Sequence, residues 1–296
     1  MIDTVFALVG PTGSGKTDLS IRLAKHFPIE IVSIDSLQVF KGLDIGSAKP
    51  TREQLQTTPH HMIDVLNPNE PISAAWYAKE SLNCIKEIKS RNHIPLLVGG
   101  AGFYFKAITN PPRSDIPVNT NHRSNEDAWS LISNKDPKLA QTIHPNDIYR
   151  ISRAADLIEQ GFVPSVVWSQ TQSATPQVAI KMFMPHYDRQ VLYNRINKRV
   201  LHMLETGLIH ETETILASYP ESRLRLMKAI GYRESLLFLS GKISKERMVE
   251  LVQQKSRNYA KRQTTWFKNQ SETTVLQPDV IETHLSNYLR KIYFTS

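Results

Sequence analysis

Apolar runs and mixed amphipathic stretches alternate through the first third of the chain. Val5-Phe6-Ala7-Leu8-Val9, Ile29 to Ile34 and Ile94 to Val98 are short, nearly uninterrupted hydrophobic segments, as strands buried on both faces require. Between them, Asp18 to His26 carries Leu19 and Leu23 on one side. Ala74 to Lys89 places Ala75, Ala78, Leu82, Ile85 and Ile88 at helical spacing. Strand and helix in turn predict a parallel sheet with helices on both faces, and ligands in such sheets sit beyond the carboxyl ends of the strands. From Asn110 to Asn125 the pattern fails amid Pro111, Pro112 and Pro117, which predicts a link out of the sheet. Ala128 to Gln170 is helical in character, with an apolar stripe of Ile148, Ile151, Ala155 and Ile158. A loop over Ser169 to Pro176 is expected next, then a returning strand from Val178 to Met184 and helices at Arg189–Thr206 and Lys245–Lys268. The expected fold class is therefore α/β: a parallel-sheet core from residues 1–112 and 178–296, flanked by helices, with a helical insertion domain over 113–177.

Composition narrows this picture only slightly. The 296 residues are 40% hydrophobic and 22% charged, with no apolar run near the ~18 residues of a membrane span. The chain opens directly into its first strand, so no signal peptide is expected and a cytoplasmic setting is. The lone Cys84 leaves no internal disulfide and is expected to pack as a small reduced hydrophobe. Charge changes the picture more. Between Arg223 and Lys268 twelve Lys/Arg face three Asp/Glu, a local +9 against +8 for the whole chain. Such a field calls for a polyanion, with a solvated helical surface as the plainer alternative.

The chemistry starts at Gly10-Pro11-Thr12-Gly13-Ser14-Gly15-Lys16-Thr17, a full match to the phosphate-loop pattern G-x-x-x-x-G-K-[ST] between a strand and a helix. Successive backbone N–H groups and a helix N-terminus there point at one anion. Lys16 adds a charge, and the Thr17 hydroxyl stands where Mg²⁺ is held. A phosphate loop alone does not separate kinases, NTPases and transferases. The usual Asp closing a later strand is replaced by Gly99-Gly100-Ala101-Gly102, which argues against an ATP-hydrolysing motor. The acid in the crevice is Asp35, placed to take a proton from an incoming nucleophile. The plainer alternative is a Mg²⁺-water ligand or a cap for the following turn. His60-His61 lacks companion ligands at metal spacing, so a structural role is expected.

Asp35-Ser36-Leu37-Gln38-Val39-Phe40-Lys41-Gly42-Leu43-Asp44-Ile45-Gly46-Ser47-Ala48-Lys49-Pro50, following the phosphate loop, resembles the tRNA dimethylallyltransferases. Pro59–Asp64, Gly99–Tyr104, His144–Asp147, Ala229–Glu234 and Lys261–Phe267 continue the resemblance in the family's order. It implies transfer of a dimethylallyl group from dimethylallyl pyrophosphate to the N6 amine of the adenosine beside the tRNA anticodon. It also implies Mg²⁺, an anticodon stem-loop as partner, no membrane, and a monomer. Gly10, Thr12, Gly13, Ser14, Gly15, Lys16, Thr17 and Arg199 would hold the pyrophosphate, with Thr17 toward the metal. Asp35, Lys16, Thr17 and Arg199 would be catalytic. RNA contacts are implied at Asp35, Ser36, Leu37, Gln38, Ala101, Arg123, Tyr149, Arg150, Arg153, Lys228, Gly231, Tyr232, Arg233, Lys261, Arg262 and Lys268. Arg257 is expected on the same helical face as Lys261 and Lys268, with Tyr259 and Trp266 on the packed side. Departures from the family are Ala101 for a threonine, Phe40 for a tyrosine, and Tyr149 for a glutamine. Alternatives are prenylation of a free adenine nucleotide, a P-loop kinase of a nucleotide or small metabolite, and a non-catalytic RNA-binding module.

Overall fold

The computed structural model describes residues 4–112, 124–173 and 178–293. In the first part, β1 (Thr4–Val9) leads into α1 (Lys16–Ala24), β2 (Ile29–Ile34), α2 (Arg52–Thr57), β3 (His60–His61), α3 (Ala74–Ser90), β4 (Ile94–Gly99) and α4 (Gly102–Thr109). A helical module follows: α5 (Asn125–Lys135), α6 (Pro137–Ala140), α7 (Ile148–Glu159) and α8 (Pro164–Ser173). The chain then returns through β5 (Ala179–Pro185), α9 (Arg189–Glu205), α10 (Leu208–Ser218), a turn at Pro220–Ser222, α11 (Arg223–Leu226) and α12 (Tyr232–Leu239). It ends in α13 (Lys245–Lys268), β6 (Thr273–Leu276) and α14 (Pro278–Tyr293).

All six strands pair in parallel in the order β3-β2-β4-β1-β5-β6. Alternation along each strand feeds two separate cores, because successive side chains leave a pleated strand on opposite faces. Val5, Ala7 and Val9 pack with Tyr77, Ile85, Phe105 and Phe267, the side of α3, α4 and α13. Phe6 and Leu8 pack with Leu19, Leu23, Ile281, Leu285 and Leu289, the side of α1 and α14. The module α5–α8 has its own cores, one around Ala128, Ile132, Ile151 and Ala155 and another joining Leu157 to Val167.

The main helices carry the signals that begin them. Ser73, Asp188 and Ser244 accept hydrogen bonds from first-turn N–H groups of α3, α9 and α13, satisfying donors that a helix start leaves open. Three features differ from the sequence expectation. α8 continues through Ser173 where a loop was expected from Ser169, and 174–177 lie outside the described residues. β6 and α14 were not anticipated. A four-residue strand is held only by pairing, here Met182 to Thr273 through Pro185 to Leu276. Ile281, Leu285 and Leu289 of α14 are fully buried, worth about 1.5–3 kcal/mol each. Cys84 is half-buried on α3, and burial raises its thiol to about 11.

The histidine pair is tied down by protein groups. His61 Nε2 lies 2.6 Å from Glu30 on β2, and His60 Nδ1 lies 2.7 Å from the Thr58 carbonyl. Glu30, 4% exposed, also receives Arg91 at 2.8 Å and His93 at 2.8 Å. Burial alone would raise its carboxyl, but the bonds from Arg91, His61 and His93 bring it from 4.5 down to about 2. A carboxyl depressed on folding contributes stability above its unfolded pKa and loses it as pH falls through the folded one. The contribution from Glu30 should therefore vanish between pH 4.5 and about 2. Glu30→Gln is expected to cost about 1–3 kcal/mol at neutral pH and to flatten the acid limb. Denaturant melts followed by circular dichroism across pH check this; parallel wild-type and variant curves would refute it.

Candidate active site

Gly10 to Lys16 turn sharply between β1 and α1, and two glycines make that turn possible. Gly13 and Gly15 sit at φ 79° and 75°, the left-handed region that side chains resist. A Cβ on Gly13 would lie 3.1 Å from Ile196 of α9, so the loop is packed as well as bent. Lys16 folds back over it, its Nζ donating to the carbonyls of Gly10 at 2.9 Å and Pro11 at 2.7 Å. The Ser14 hydroxyl donates to Pro11 O at 2.8 Å.

β1 lies where the strand order reverses, with β4 on one side and β5 on the other. A crevice opens beyond the strand ends at such a point, and here it is a cavity of about 610 Å³. Thr12, Lys16 and Thr17 line it from the phosphate loop, Asp35 to Gln38 from the end of β2, and Arg199 from α9. Lys228 and Gly231 reach it from the other side. These are ten of the residues singled out in the sequence.

The electrostatics centre on Lys16, Arg199 and Asp35. Burial pulls the Lys16 ammonium from 10.5 down to about 7, the nearby Arg199 pushes the same way, and Asp35 opposes. Burial also lowers Arg199, again against the pull of Asp35. Two desolvated cations beside one carboxylate make a site for an anion arriving with its own negative charge. Arg195 and Arg199, four apart on α9, divide the work. Arg199 faces the cavity, while Arg195 donates to Gly13 O at 2.8 Å and lies 5.0 Å from the Tyr187 ring centroid, bracing the loop from outside.

One Asp35 oxygen accepts from the N–H groups of Leu37 at 2.9 Å and Gln38 at 3.3 Å, so the turn-capping role is real. Behind it the Tyr77 hydroxyl accepts from Asp35 N–H at 3.1 Å and donates to Ser33 O at 2.8 Å. Tyr77 stacks on Tyr104 with centroids 3.9 Å apart. The Gln38 amide bridges Ser33 Oγ to the carbonyls of Ser47 and Ala48. Asp35 is thus carried on a fixed turn.

Other expected positions lie elsewhere. Ala101 is 9% exposed and packs into the core rather than lining the cavity, because its N–H bonds Ile34 O at 3.3 Å and draws it onto the sheet end. Tyr232 has no exposed surface; its hydroxyl bonds Glu211 at 2.6 Å. Glu211 also accepts the N–H groups of Asp44, Ile45 and Gly46, so Tyr232 supports the cavity wall from behind. Arg257 turns inward to Asn197 at 2.7 Å. On α13, Lys261, Arg262 and Lys268 are exposed, as is Arg233 on α12. In the helical module Tyr149 is 63% exposed, and Arg150 makes a solvent-facing pair with Asp147 at 3.5 Å. Arg153 lies on the same helix, and Arg123 falls outside the described residues.

Three cavity residues were missed or misassigned. Tyr259, expected to be packed, lines the cavity, and burial raises its phenol to about 12. Gln263 reaches the cavity from α13. The Arg225 guanidinium lies 3.9 Å from the Phe40 ring centroid and bonds the carbonyls of Pro68 and Glu70, tying two cavity walls together. Their only sequence signal was membership of the matched words or of the basic stretch.

The profile of the IPP transferase family matches residues 38–270. A tRNA dimethylallyltransferase from Koribacter versatilis (strain Ellin345) is 40% identical over 284 residues, 92% of each chain. Among solved structures, a tRNA delta(2)-isopentenylpyrophosphate transferase from Staphylococcus epidermidis is 34% identical with a TM-score of 0.71, covering 98% of this chain and 99% of that one. A eukaryotic dimethylallyltransferase acting on tRNA is 26% identical with a TM-score of 0.79, covering 98% of this chain and 76% of that one.

Proposed function

This chain belongs to the IPP transferase family, and on that premise we propose that it prenylates tRNA. It moves the dimethylallyl group of dimethylallyl pyrophosphate to the N6 amine of the adenosine 3′-adjacent to the anticodon, releasing pyrophosphate. The observation that carries this is Lys16, Arg199 and Asp35 facing one cavity at the switch point of the sheet. The allylic C–O bond breaks as the C–N bond forms. Lys16, Arg199 and the loop amides meet the charge growing on the departing pyrophosphate. Asp35 takes the proton released from the amine as it becomes alkylated.

Thr17 fits a Mg²⁺ that arrives with its phosphates, since it closes the phosphate loop and lines the cavity with a hydroxyl oxygen of the kind that ion takes. When bound, the ion would neutralise charge on the leaving group. No helix among the described residues is long and apolar enough to cross a membrane, and a cytoplasmic enzyme suits a tRNA substrate.

A buried acceptor base must leave its stack to enter such a cavity. The exposed Lys261, Arg262 and Lys268 of α13 would hold the backbone around it. Replacing Lys261 and Arg262 together by alanine is expected to weaken stem-loop binding and flatten the log–log salt slope by ~0.7–0.9 per lost contact. An unchanged slope in a filter-binding titration would remove α13 from the RNA surface. The reaction itself is tested by incubating the protein with dimethylallyl pyrophosphate and an unmodified anticodon stem-loop, then weighing the digested nucleosides. Prenylated adenosine is expected; prenylation of free AMP but not of the stem-loop would overturn the assignment.

A further inference from the structure

One stripe of α13 lines the cavity. Val252, Ser256, Tyr259 and Gln263 follow each other at helical spacing along it. Gln263 is engaged with the protein: its Oε1 accepts the Thr12 N–H at 2.9 Å, and its Nε2 donates to Gly100 O at 2.9 Å. A carboxamide nitrogen has a second hydrogen to give, and the Tyr259 hydroxyl is hydrogen-bonded to this side chain. That bond favours the ionised phenol, so it is one that the phenol oxygen accepts. Nothing in the reaction outlined above uses the hydroxyl of Tyr259.

Its own proton is therefore left over. Among the described residues no further hydrogen-bond partner for it is present. The proton stays on the oxygen, because burial first and the Asp35 charge next push the phenol up to about 12. Asp35 follows β2, and Tyr104, which also raises the phenol, lies on α4 just past β4. Tyr259 thus addresses the side of the cavity where the amine loses its proton, not the loop that holds the phosphates. A base taken out of its stack is read along its Watson–Crick edge. On adenine that edge carries N1, a lone-pair acceptor, directly beside the N6 amine. With the amine turned to Asp35, N1 asks for one donor, and a neutral hydroxyl supplies it without protonating the nucleophile.

We propose that Tyr259 is a specificity-determining residue that donates its hydroxyl proton to N1 of the acceptor adenine. The inference rests on the reading that an adenosine in RNA is the acceptor. Guanine carries a hydrogen on N1, which would face that donor, and offers a carbonyl oxygen where Asp35 requires an amine.

A cycle of two changes, followed under single-turnover conditions, tests it. Tyr259→Phe keeps the ring, with Arg262 5.6 Å from its centroid, and removes only the hydroxyl. A stem-loop with 1-deazaadenosine at the acceptor position replaces N1 by C–H. On the adenosine stem-loop Tyr259→Phe should slow prenyl transfer by about two- to tenfold, the worth of one neutral hydrogen bond. On the deaza stem-loop wild type and Tyr259→Phe should react at the same rate, because the bond can be lost only once. Melting temperature and affinity for magnesium pyrophosphate should be unchanged. Equal slowing by Tyr259→Phe on both stem-loops would overturn the proposal, since a structural role is indifferent to N1. An unslowed variant, or one that loses pyrophosphate affinity, would overturn it too, while the prenyl-transfer reading stood. A wild type that leaves the adenosine stem-loop unmodified would take both down.

Discussion

Replacing Lys16 with alanine is expected to all but remove prenyl transfer, with turnover falling by about 10²–10³-fold, the scale set by losing one preorganised stabiliser of developing negative charge. Arg199 would remain, but it cannot reach round the loop as Lys16 does through the Gly10 and Pro11 carbonyls. The lowered Lys16 ammonium adds a pH signature. Burial foremost, and Arg199 next, hold it at about 7 in the ligand-free protein, so near neutrality it is only partly charged. Pyrophosphate favours the charged form, so binding should take up a proton and weaken as pH rises above about 7. Stability runs the other way. The folded pKa lies below the unfolded 10.5, so the unfolded chain holds more protons between those values and the free protein gains stability as pH climbs from about 7. Calorimetry in buffers of different ionisation enthalpy measures the proton uptake. An alanine variant turning over within about tenfold of wild type, a loss below ~1.4 kcal/mol, would sink the assignment of Lys16.

Asp35→Asn is expected to lose ~10²–10⁴ in single-turnover rate, the usual worth of a positioned base, while keeping the melting temperature and stem-loop affinity. The substitution is clean because of the turn. An asparagine oxygen can still accept the Leu37 and Gln38 N–H groups that Asp35 accepts now, and the Tyr77 bonds to the backbone on either side do not involve the side chain. Proton acceptance is removed, together with the negative charge that supports the charged forms of Lys16 and Arg199. A rate close to wild type would leave Asp35 as a turn cap and place the base elsewhere.

The parts legible in the sequence are those fixed locally. Gly10–Thr17 announces its function because a strand, two left-handed glycines and a helix start all lie within a few residues. The strand ends that carry Asp35 and Gly99–Gly100 follow from apolar runs that stop abruptly. What stayed hidden depends on residues far apart in the chain. Gln263 meets Thr12 across 251 positions, and Glu30 gathers partners at 61, 91 and 93; no periodicity encodes either. Tyr232 misled for the same reason. The resemblance alone put it among the RNA contacts, and nothing in the sequence shows that Glu211 on another helix claims its hydroxyl. β6 escaped because a four-residue strand has no pattern of its own and exists only against β5.

The placement of β1 between β4 and β5 also sets a timetable for the nascent chain. The first strand made waits for its second neighbour until residue 183 has left the ribosome, since Thr4 to Leu8 pair with Ala179 to Phe183. Throughout that interval one edge of β1 stands unpaired, an open invitation to other chains. The helical module is synthesised during the wait and can close its own apolar centre from residues 128–155 alone. Its insertion there delays sealing of the sheet by tens of residues. A destabilised module would thus be felt first as aggregation of newly made protein, before any loss in the activity of molecules that had finished folding.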